Sequence, residues 1–393
     1  MLSNGNRTRC FMLATLAASC LFGCGPDDGG QGAPTSGPAP PPSATPGATP
    51  TPTPMSFNPA AGGETSKEAN GVIQMAKVAD SINVPSLLTS AAKASSAAPD
   101  VVGGFRFLCP PSHISFDDPI VHPGKPGANE HLHIFFGNTK TDANSTYESL
   151  RTSGDSTCRN MLNRSAYWQP AMLGKNTSGQ DMVIVEDYTN FYYKARPAGD
   201  PNAEGKQVAI PRGLNFVFGG MGRPARFKCI QEGTWHSTLQ GALSVCSVGQ
   251  QIDMAQQTPE CWDGKSLDSP DHASHMAFLL RDKNTGKEYC PNTHPYLIPR
   301  LTFQRIFTIR ADDITTTWRL SSDKAGDVPG SMAHADYMMA WNDEVHERWM
   351  DACINQLLNC SSGDLGDGSK MLPNDIYRNG MAASGRRVPV PKP

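Results

Sequence analysis

Short apolar and aromatic segments, separated by turn residues, constrain the fold of this chain more than any other feature of its sequence. From Val101 onward such segments recur between Gly, Pro, Asn and Asp, for example at 105–107, 132–136, 214–218, 301–309 and 315–320. Runs of this kind are typical of β-strands. Because they are short and irregularly spaced, they favour a β-sandwich or jelly roll over parallel α/β units. We therefore predict one mainly β, sandwich- or jelly-roll-like domain over residues 100–361.

The predicted domain ends in a helix. Asn342 is a suitable N-cap, and an apolar residue recurs every fourth position at Val345, Trp349, Cys353 and Leu357. This spacing places the four side chains on one face of an α-helix. The flanking segments are less regular: residues 64–99 have a helical composition and predict a helical or mobile lead-in, and residues 362–393 predict a polar, loosely held tail.

The first 24 residues predict a signal peptide. Arg7 and Arg9 precede an apolar run over 11–22 that is too short to span a bilayer as a helix. The run ends in Leu21-Phe22-Gly23-Cys24, which is similar to a bacterial lipobox and predicts lipidation of Cys24. The alternative is an ordinary secretory signal cleaved near Gly23.

Residues 25–63 consist almost entirely of Gly, Pro, Ser, Thr and Ala, with a Thr-Pro run over 45–54. Such a segment has too few apolar residues to form a core and predicts a disordered tether. We therefore expect an exported protein, anchored to a membrane through lipid at the outer membrane or cell surface, and facing away from the cytoplasm.

The cysteines agree with export. Eight of them follow the signal peptide, namely Cys109, Cys158, Cys229, Cys246, Cys261, Cys290, Cys353 and Cys360. An even number in an exported domain predicts four disulfides. We predict the pairs Cys229–Cys246 and Cys353–Cys360, and the sequence leaves the other pairings open. A zinc site is the alternative, but the chain has no Cys-x-x-Cys motif to support it.

Charge and motifs exclude several function classes. A net charge of -3 over 393 residues argues against a general affinity for nucleic acid. The sequence also lacks Gly-x-Ser-x-Gly, a P-loop, a dinucleotide-binding Gly-x-Gly-x-x-Gly and His-Glu-x-x-His.

Histidines with acidic neighbours are the strongest chemical signal in the sequence. His131 and His133 flank Leu132 beside a strand-like segment, so both side chains would project to the same face. Three further clusters are Asp271-His272-Ala273-Ser274-His275, His334-Ala335-Asp336, and Asp117-Asp118 with His122. Neutral imidazoles bind Zn and Cu, and three of them with an open position form a catalytic type of metal site. Alternatively, these histidines hydrogen-bond to the backbone, and His334-Ala335-Asp336 caps the helix that follows.

Several motifs occur in an order that resembles one known family. They are Asp118-Pro119-Ile120-Val121-His122-Pro123-Gly124, His131-Leu132-His133-Ile134-Phe135-Phe136-Gly137, Ser165-Ala166-Tyr167-Trp168-Gln169-Pro170, Pro211-Arg212-Gly213-Leu214, Cys261-Trp262-Asp263-Gly264, Asp271-His272-Ala273-Ser274-His275 and His334-Ala335-Asp336-Tyr337. Over about 101–360 the chain resembles the extracellular domain-of-unknown-function family numbered nineteen-ninety-six, which occurs in fungi and bacteria, often beside sugar-binding WSC modules. This resemblance implies an extracellular setting and leaves the activity open.

The residues in these motifs lead to a specific site hypothesis. We predict that one transition-metal ion, Zn or Cu, is bound by four histidines: His131, His133, His275 and His334. The predicted catalytic residues are His131, His133, Asp336 and Arg212, with Asp336 in or beside the ligand set. Tyr167 and Trp168 would stack on a sugar ring.

Three functions remain open from the sequence. The first is an enzyme, metal-dependent or using His and Asp as acid and base, that acts on extracellular polysaccharide. The second is a non-catalytic carbohydrate-binding or adhesion module. The third is a metal-binding protein without catalysis.

Overall fold

A computed structural model describes residues 65–67, 71–220, 223–383 and 385–392, with only the backbone described at 65–67. All of them belong to one unit, Ser56–Pro393. The predicted signal peptide, the predicted lipidation site Cys24 and the predicted tether over 25–63 lie outside the described residues.

The described chain is mainly β, as the alternation of short apolar segments predicts. The first thirteen strands are β1 Thr65–Lys67, β2 Ile73–Met75, β3 Leu88–Ser90, β4 Gly103–Cys109, β5 Ile114–Ser115, β6 His133–Gly137, β7 Ala166–Pro170, β8 Met172–Asn176, β9 Asp181–Ile184, β10 Tyr188–Ala195, β11 Lys206–Gln207, β12 Asn215–Gly219 and β13 Arg226–Cys229. The remainder are β14 Trp235–His236, β15 Gln251–Gln257, β16 Cys261–Trp262, β17 Met276–Ala277, β18 Leu280–Arg281, β19 Glu288–Tyr289, β20 Tyr296–Leu297, β21 Arg300–Thr308, β22 Asp313–Leu320, β23 His334–Met338, β24 Asn359–Cys360, β25 Ser369–Met371 and β26 Arg387–Pro389.

The helices in the described residues are few and short. They are α1 Tyr147–Thr152, α2 Leu239–Leu243, α3 Asp343–Trp349 and α4 Asp375–Ala382, with a 3-10 helix at Val84–Leu87 and a π-helix at Met350–Ile354. Within the described part of the chain, no helix combines the length and the apolar character that a membrane span needs.

Two large sheets form a β-sandwich, which confirms the predicted fold class. The seven-stranded sheet has the order β14-β13-β15-β21-β10-β4-β24, and the five-stranded sheet has the order β12-β23-β7-β6-β5. Aromatic side chains fill the space between them: the rings of Tyr167 and Phe191 lie 4.1 Å apart, and those of Phe218 and Phe303 lie 5.1 Å apart. Burial of each such side chain contributes about 1.5–3 kcal/mol, so this aromatic layer is a main source of stability.

Two smaller sheets have four strands each, in the orders β22-β8-β9-β26 and β11-β20-β16-β17. Trp318 of β22 is fully buried in a second apolar core with Phe227 of β13 and Leu239 of α2. This packing ties the small sheet to the edge of the seven-stranded sheet.

All eight cysteines of the domain are paired, as predicted. The four disulfides are Cys109–Cys158, Cys229–Cys246, Cys261–Cys290 and Cys353–Cys360. Both pairs predicted from the sequence are confirmed, and the zinc alternative for these cysteines is excluded because their sulfurs are bonded to one another.

The closing helix is also confirmed. Asn342 accepts a hydrogen bond from the Val345 amide at 3.2 Å and caps α3. Val345, Trp349 and Cys353 are all fully buried. The helix changes to π geometry after Trp349 and ends at Ile354, so Leu357 lies beyond it.

The expectations for the flanking segments were wrong. Within 64–99, the described residues form short strands and one 3-10 helix instead of a helical lead-in. Residues 362–393 are not a loose tail, since β25 pairs with β3 and β26 pairs with β9. Leu365 and Met371 in this segment are fully buried. The two flanks therefore stabilise each other and the domain.

Candidate metal centre

Three of the predicted histidines converge on the face of the five-stranded sheet that points away from the sandwich core. One ligand nitrogen from each of His131, His133 and His334 lies within 4.8 Å of the others. The Nε2 atoms of His131 and His334 are 3.1 Å apart. The ring centroids of His131 and His133 are 4.6 Å apart, and those of His133 and His334 are 5.7 Å apart. We call this group the histidine triad.

The start of β6 brings the first two members together. His131 lies at a bend, and β6 begins two residues later at His133. Leu132 is held between them because its carbonyl accepts hydrogen bonds from the Ala171 amide and the Ser321 hydroxyl. The prediction that the imidazoles of His131 and His133 lie together is confirmed by the 4.6 Å between their ring centroids, although His131 itself lies outside the strand.

Strand register explains the third member. His133 of β6 pairs with Pro170 of β7, and Asp336 of β23 pairs with Trp168 of β7. His334 lies two residues before Asp336 and therefore at the level of Pro170, so the two imidazoles approach each other across this proline. Arg305 of the other sheet donates to the Pro170 carbonyl at 2.7 Å and fixes this strand from below.

Backbone carbonyls set the tautomers of two of the histidines. Nδ1 of His133 lies 3.1 Å from the Asp117 carbonyl, and Nδ1 of His334 lies 3.1 Å from the Met332 carbonyl. Because a carbonyl oxygen only accepts hydrogen bonds, each Nδ1 carries the proton and each Nε2 keeps its lone pair. Histidines that bind metals are commonly oriented in this way through their other ring nitrogen.

The environment keeps the triad neutral. Burial, followed by repulsion from His334, lowers the pKa of His131 to about 4. Burial and the two neighbouring imidazoles lower the pKa of His133 well below its usual value, and burial also lowers that of His334. Neutral imidazoles are the form that binds metal ions.

The spacing of two of the three donors fits a metal ion. Two nitrogens bound tetrahedrally to one ion at about 2.0–2.1 Å are separated by about 3.3 Å, close to the 3.1 Å between His131 and His334. His133 is fully buried, whereas His131 and His334 are partly exposed. A fourth position on the ion would therefore open toward solvent on the side of His131 and His334.

Asp336 does not take the predicted role in the ligand set. It is fully buried on the same face as His334, and neither carboxylate oxygen has a hydrogen-bond partner among the described residues. Burial, together with repulsion from Asp118, raises its pKa well above its usual value. Backbone carbonyls orient the imidazoles in place of this carboxylate.

His275 and Arg212 lie outside the triad, so both predictions are corrected. Both ring nitrogens of His275 are engaged, Nδ1 with the Ser269 hydroxyl at 2.8 Å and Nε2 with the Asn215 carbonyl at 2.9 Å. Arg212 donates to the Met75 carbonyl and forms an ion pair with Asp343 at 3.5 Å. These two residues are near the Asn215 end of β12, whereas His334 pairs with Gly219 at the opposite end.

The two aromatic residues predicted to stack on sugar are fully buried. Tyr167 lies between the sheets, where its hydroxyl is 2.8 Å from that of Tyr193. Trp168 is on the side of the triad but stacks on Phe135 at 5.5 Å. Neither ring has a face that a sugar can reach in this structure, because the sheet is covered on both sides.

The groups that hold the imidazoles in place could not be predicted from the sequence. The carbonyls of Asp117 and Met332 cannot be identified from a sequence, since every residue has a carbonyl. Asn129 was also missed: its amide donates to the His131 carbonyl at 2.8 Å and lies 3.5 Å from Nε2 of His133. Its only sequence signal is a polar side chain two residues before the His-x-His motif.

One known family matches the part of the chain that holds the histidine triad. A family model described as Domain of unknown function (DUF1996) matches residues 118–341, which is more than half of the chain and includes the whole triad. The chain belongs to this family. The DUF1996 match also spans β6 to β23, the strands that carry the three histidines. No curated protein and no solved structure matches the chain.

Proposed function

We propose that this chain is an exported, lipid-anchored protein that binds one transition-metal ion, Zn or Cu, through His131, His133 and His334 and acts on extracellular polysaccharide. The observation that carries the metal part is the convergence of three neutral imidazoles, two of them oriented by carbonyls. Three protein ligands leave a position for water or substrate, as in catalytic metal sites.

A bound ion of this kind would supply a Lewis acid and an activated water at the solvent side of the triad. The residues of the chain would hold that ion from three directions and exclude water on the buried side. His133 would bind the ion from the buried side of the site. Asn129 fixes the backbone of His131 through a hydrogen bond to its carbonyl.

The polysaccharide and membrane parts rest on other support. The predicted signal peptide, lipobox and tether would place the domain outside the cytoplasm, where glycans are abundant substrates. The four disulfides agree with an oxidising compartment.

The metal part is tested by titrating the full chain with Zn and Cu after chelation and measuring the bound ion by mass spectrometry. We expect one ion per chain, and we expect His334→Gln to remove it because two remaining ligands rarely hold a metal firmly. His133→Gln should have the same effect. Since His133 is fully buried, the partly exposed His334 is the safer variant.

His294→Gln is the matched control, since His294 is a partly exposed histidine bonded to the Ser274 carbonyl. It should bind metal like the wild type. Absence of stoichiometric metal in the wild type, or equal binding by His334→Gln, would contradict the proposal.

A further inference from the structure

The outer face of the seven-stranded sheet presents a polar surface that the metal centre does not use. In β21, Leu301 and Phe303 point inward and are fully buried, whereas Thr302 and Gln304 point outward and are partly exposed. Gln304 accepts a hydrogen bond from the Asn190 amide of β10 at 3.0 Å. This face lies on the opposite side of the sandwich from the histidine triad.

A groove crosses this face where β13, β15 and β21 meet. Its volume is about 480 Å³, and its lining includes Arg223, Arg226, Trp235, Gln257, Thr302 and Gln304. Ligand sites usually measure roughly 300–1,000 Å³, so the groove is large enough to hold a ligand. We call it the outer groove.

The outer groove carries a cation with no counter-ion. Arg226 is exposed, and its guanidinium lies 5.1 Å from the ring centroid of Trp235. Among the described residues no carboxylate forms an ion pair with Arg226. The neighbouring Lys228 lies 4.4 Å from the centroid of the same ring, and it neutralises Asp253, the carboxylate that accepts from Gln304, at 3.7 Å. The cation–π contact holds this guanidinium beside the groove, where it is available to an anion.

A second arginine lies at the end of the outer groove, beside a buried carboxyl group. Arg223 lies 3.9 Å from Glu260, and Arg300 lies 3.6 Å from the same oxygen. Glu260 is almost fully buried, and neither of its oxygens has a hydrogen-bond partner in the part of the chain that the structure describes. Burial raises its pKa to about 7, against the opposite effect of the two arginines. One carboxyl group shared by two arginines offsets only part of their positive charge.

These features suit one kind of ligand. Guanidinium groups bind carboxylates in a planar, two-point geometry, amide and hydroxyl side chains bind sugar hydroxyls, and an indole packs against the apolar face of a sugar ring. The chain as a whole has a net charge of -3, so it would not attract a polyanion through its overall charge. Recognition of an anionic polymer would have to be local.

We propose that the outer groove binds an acidic polysaccharide, with uronate carboxylates on Arg226 and Arg223 and a sugar ring against Trp235. The proposal rests on the proposed action on polysaccharide and names its class, but it does not depend on the metal centre. Binding on the opposite side from the triad would hold the protein on a polymer while leaving the triad free.

The test is the affinity of the full chain for polygalacturonate, for the neutral glucan pullulan and for polyglutamate at equal ionic strength. We expect binding to polygalacturonate alone, weakened about tenfold by Arg226→Gln through loss of one charge-assisted contact. Trp235→Ala should weaken it by a similar factor, and Trp235→Phe by less. Arg378→Gln, which removes an exposed arginine of α4 paired with Asp375, is the matched control and should change nothing.

Each other outcome contradicts the proposal in its own way. Binding to polyglutamate as tight as to polygalacturonate would show that charge is recognised without the sugar. Binding to pullulan as tight as to polygalacturonate would show that the carboxylates are not recognised. Polysaccharide binding unaffected by Arg226→Gln would overturn the outer groove while leaving the proposed function in place. Absence of binding to either polysaccharide would overturn the outer groove and remove the support for a polysaccharide substrate, whereas the metal titration would be unaffected.

Discussion

The imidazoles of His131, His133 and His334 meet because three backbone features act together. The start of β6 places the first two side by side, the register of β23 against β7 brings the third, and carbonyls hold Nδ1 of His133 and of His334. Only the first feature can be read from a sequence. In the sequence, His275 lies among polar residues as His334 does. In the structure, however, both of its ring nitrogens are hydrogen-bonded, to the Ser269 hydroxyl and to the Asn215 carbonyl. Its place depends on a contact between residues 60 positions apart.

The low pKa of His131 predicts how the metal-free protein responds to acid. Its pKa is about 4 in the folded state and about 6.5 in an unfolded chain. Between these values the unfolded state binds more protons, so the free energy of unfolding should fall as the pH is lowered from 7 to 5. His131→Asn removes one of these groups, and its stability should fall less steeply over the same range. Urea unfolding at pH 7, 6 and 5 in the presence of a chelator measures both slopes.

Equal slopes for the two proteins would contradict this account of His131. His133 and His334 also have lowered pKa values and remain in the variant, so a reduced but non-zero slope is the expected result. Saturating metal should raise the free energy of unfolding without flattening this profile, because the folded site is already neutral and the histidines of the unfolded chain still bind protons.

At the scale of elements, the strands of the sandwich could be predicted and the flanking strands could not. A segment such as 301–309 is long enough to show its apolar alternation, and it forms β21 almost as predicted. β3 and β25 have three residues each, too few to show a period, and they pair across the length of the domain. The composition of residues 64–99 favours helix, but burial of Val72 and Met75 against the domain overrides it.

The same reason explains the correction at Tyr167 and Trp168. Their strand, β7, is buried at all five positions, because the second sheet covers one face and the loops around the triad cover the other. A sequence shows that two aromatic residues are adjacent, but not that both faces of their sheet are covered. The two confirmed disulfides likewise close short loops, with sequence separations of 17 and 7, whereas the unpredicted ones span 49 and 29.

On the scale of the whole molecule, the proposed membrane anchor and tether would carry a domain with the triad on one side and the outer groove on the other. A Pro-rich tether extends by about 3.1 Å per residue, so residues 25–63 would reach roughly 100 Å from a membrane. Such a reach would let the domain approach a polymer with the outer groove on one side and the triad on the other. The family match includes the lining of the outer groove as well as the triad.

The anchor is tested by replacing the cysteine that would carry it. Cys24→Ser should move the protein from the membrane fraction to the soluble fraction, because each acyl methylene contributes about 0.8 kcal/mol to membrane binding. Cys20→Ser is the matched control, since Cys20 has Ala17 where a lipobox has Leu, and it should stay with the membrane. Membrane association that survives Cys24→Ser would contradict lipidation at this residue.

The central claim is that His131, His133 and His334 bind one metal ion together. Anomalous diffraction from crystals of the metal-loaded protein, recorded at the absorption edge of the ion, tests it most directly. We expect one peak at about 2.0–2.1 Å from the Nε2 atoms of all three histidines. A well-ordered triad with no peak between its rings, or a peak bound by other residues instead, would contradict it.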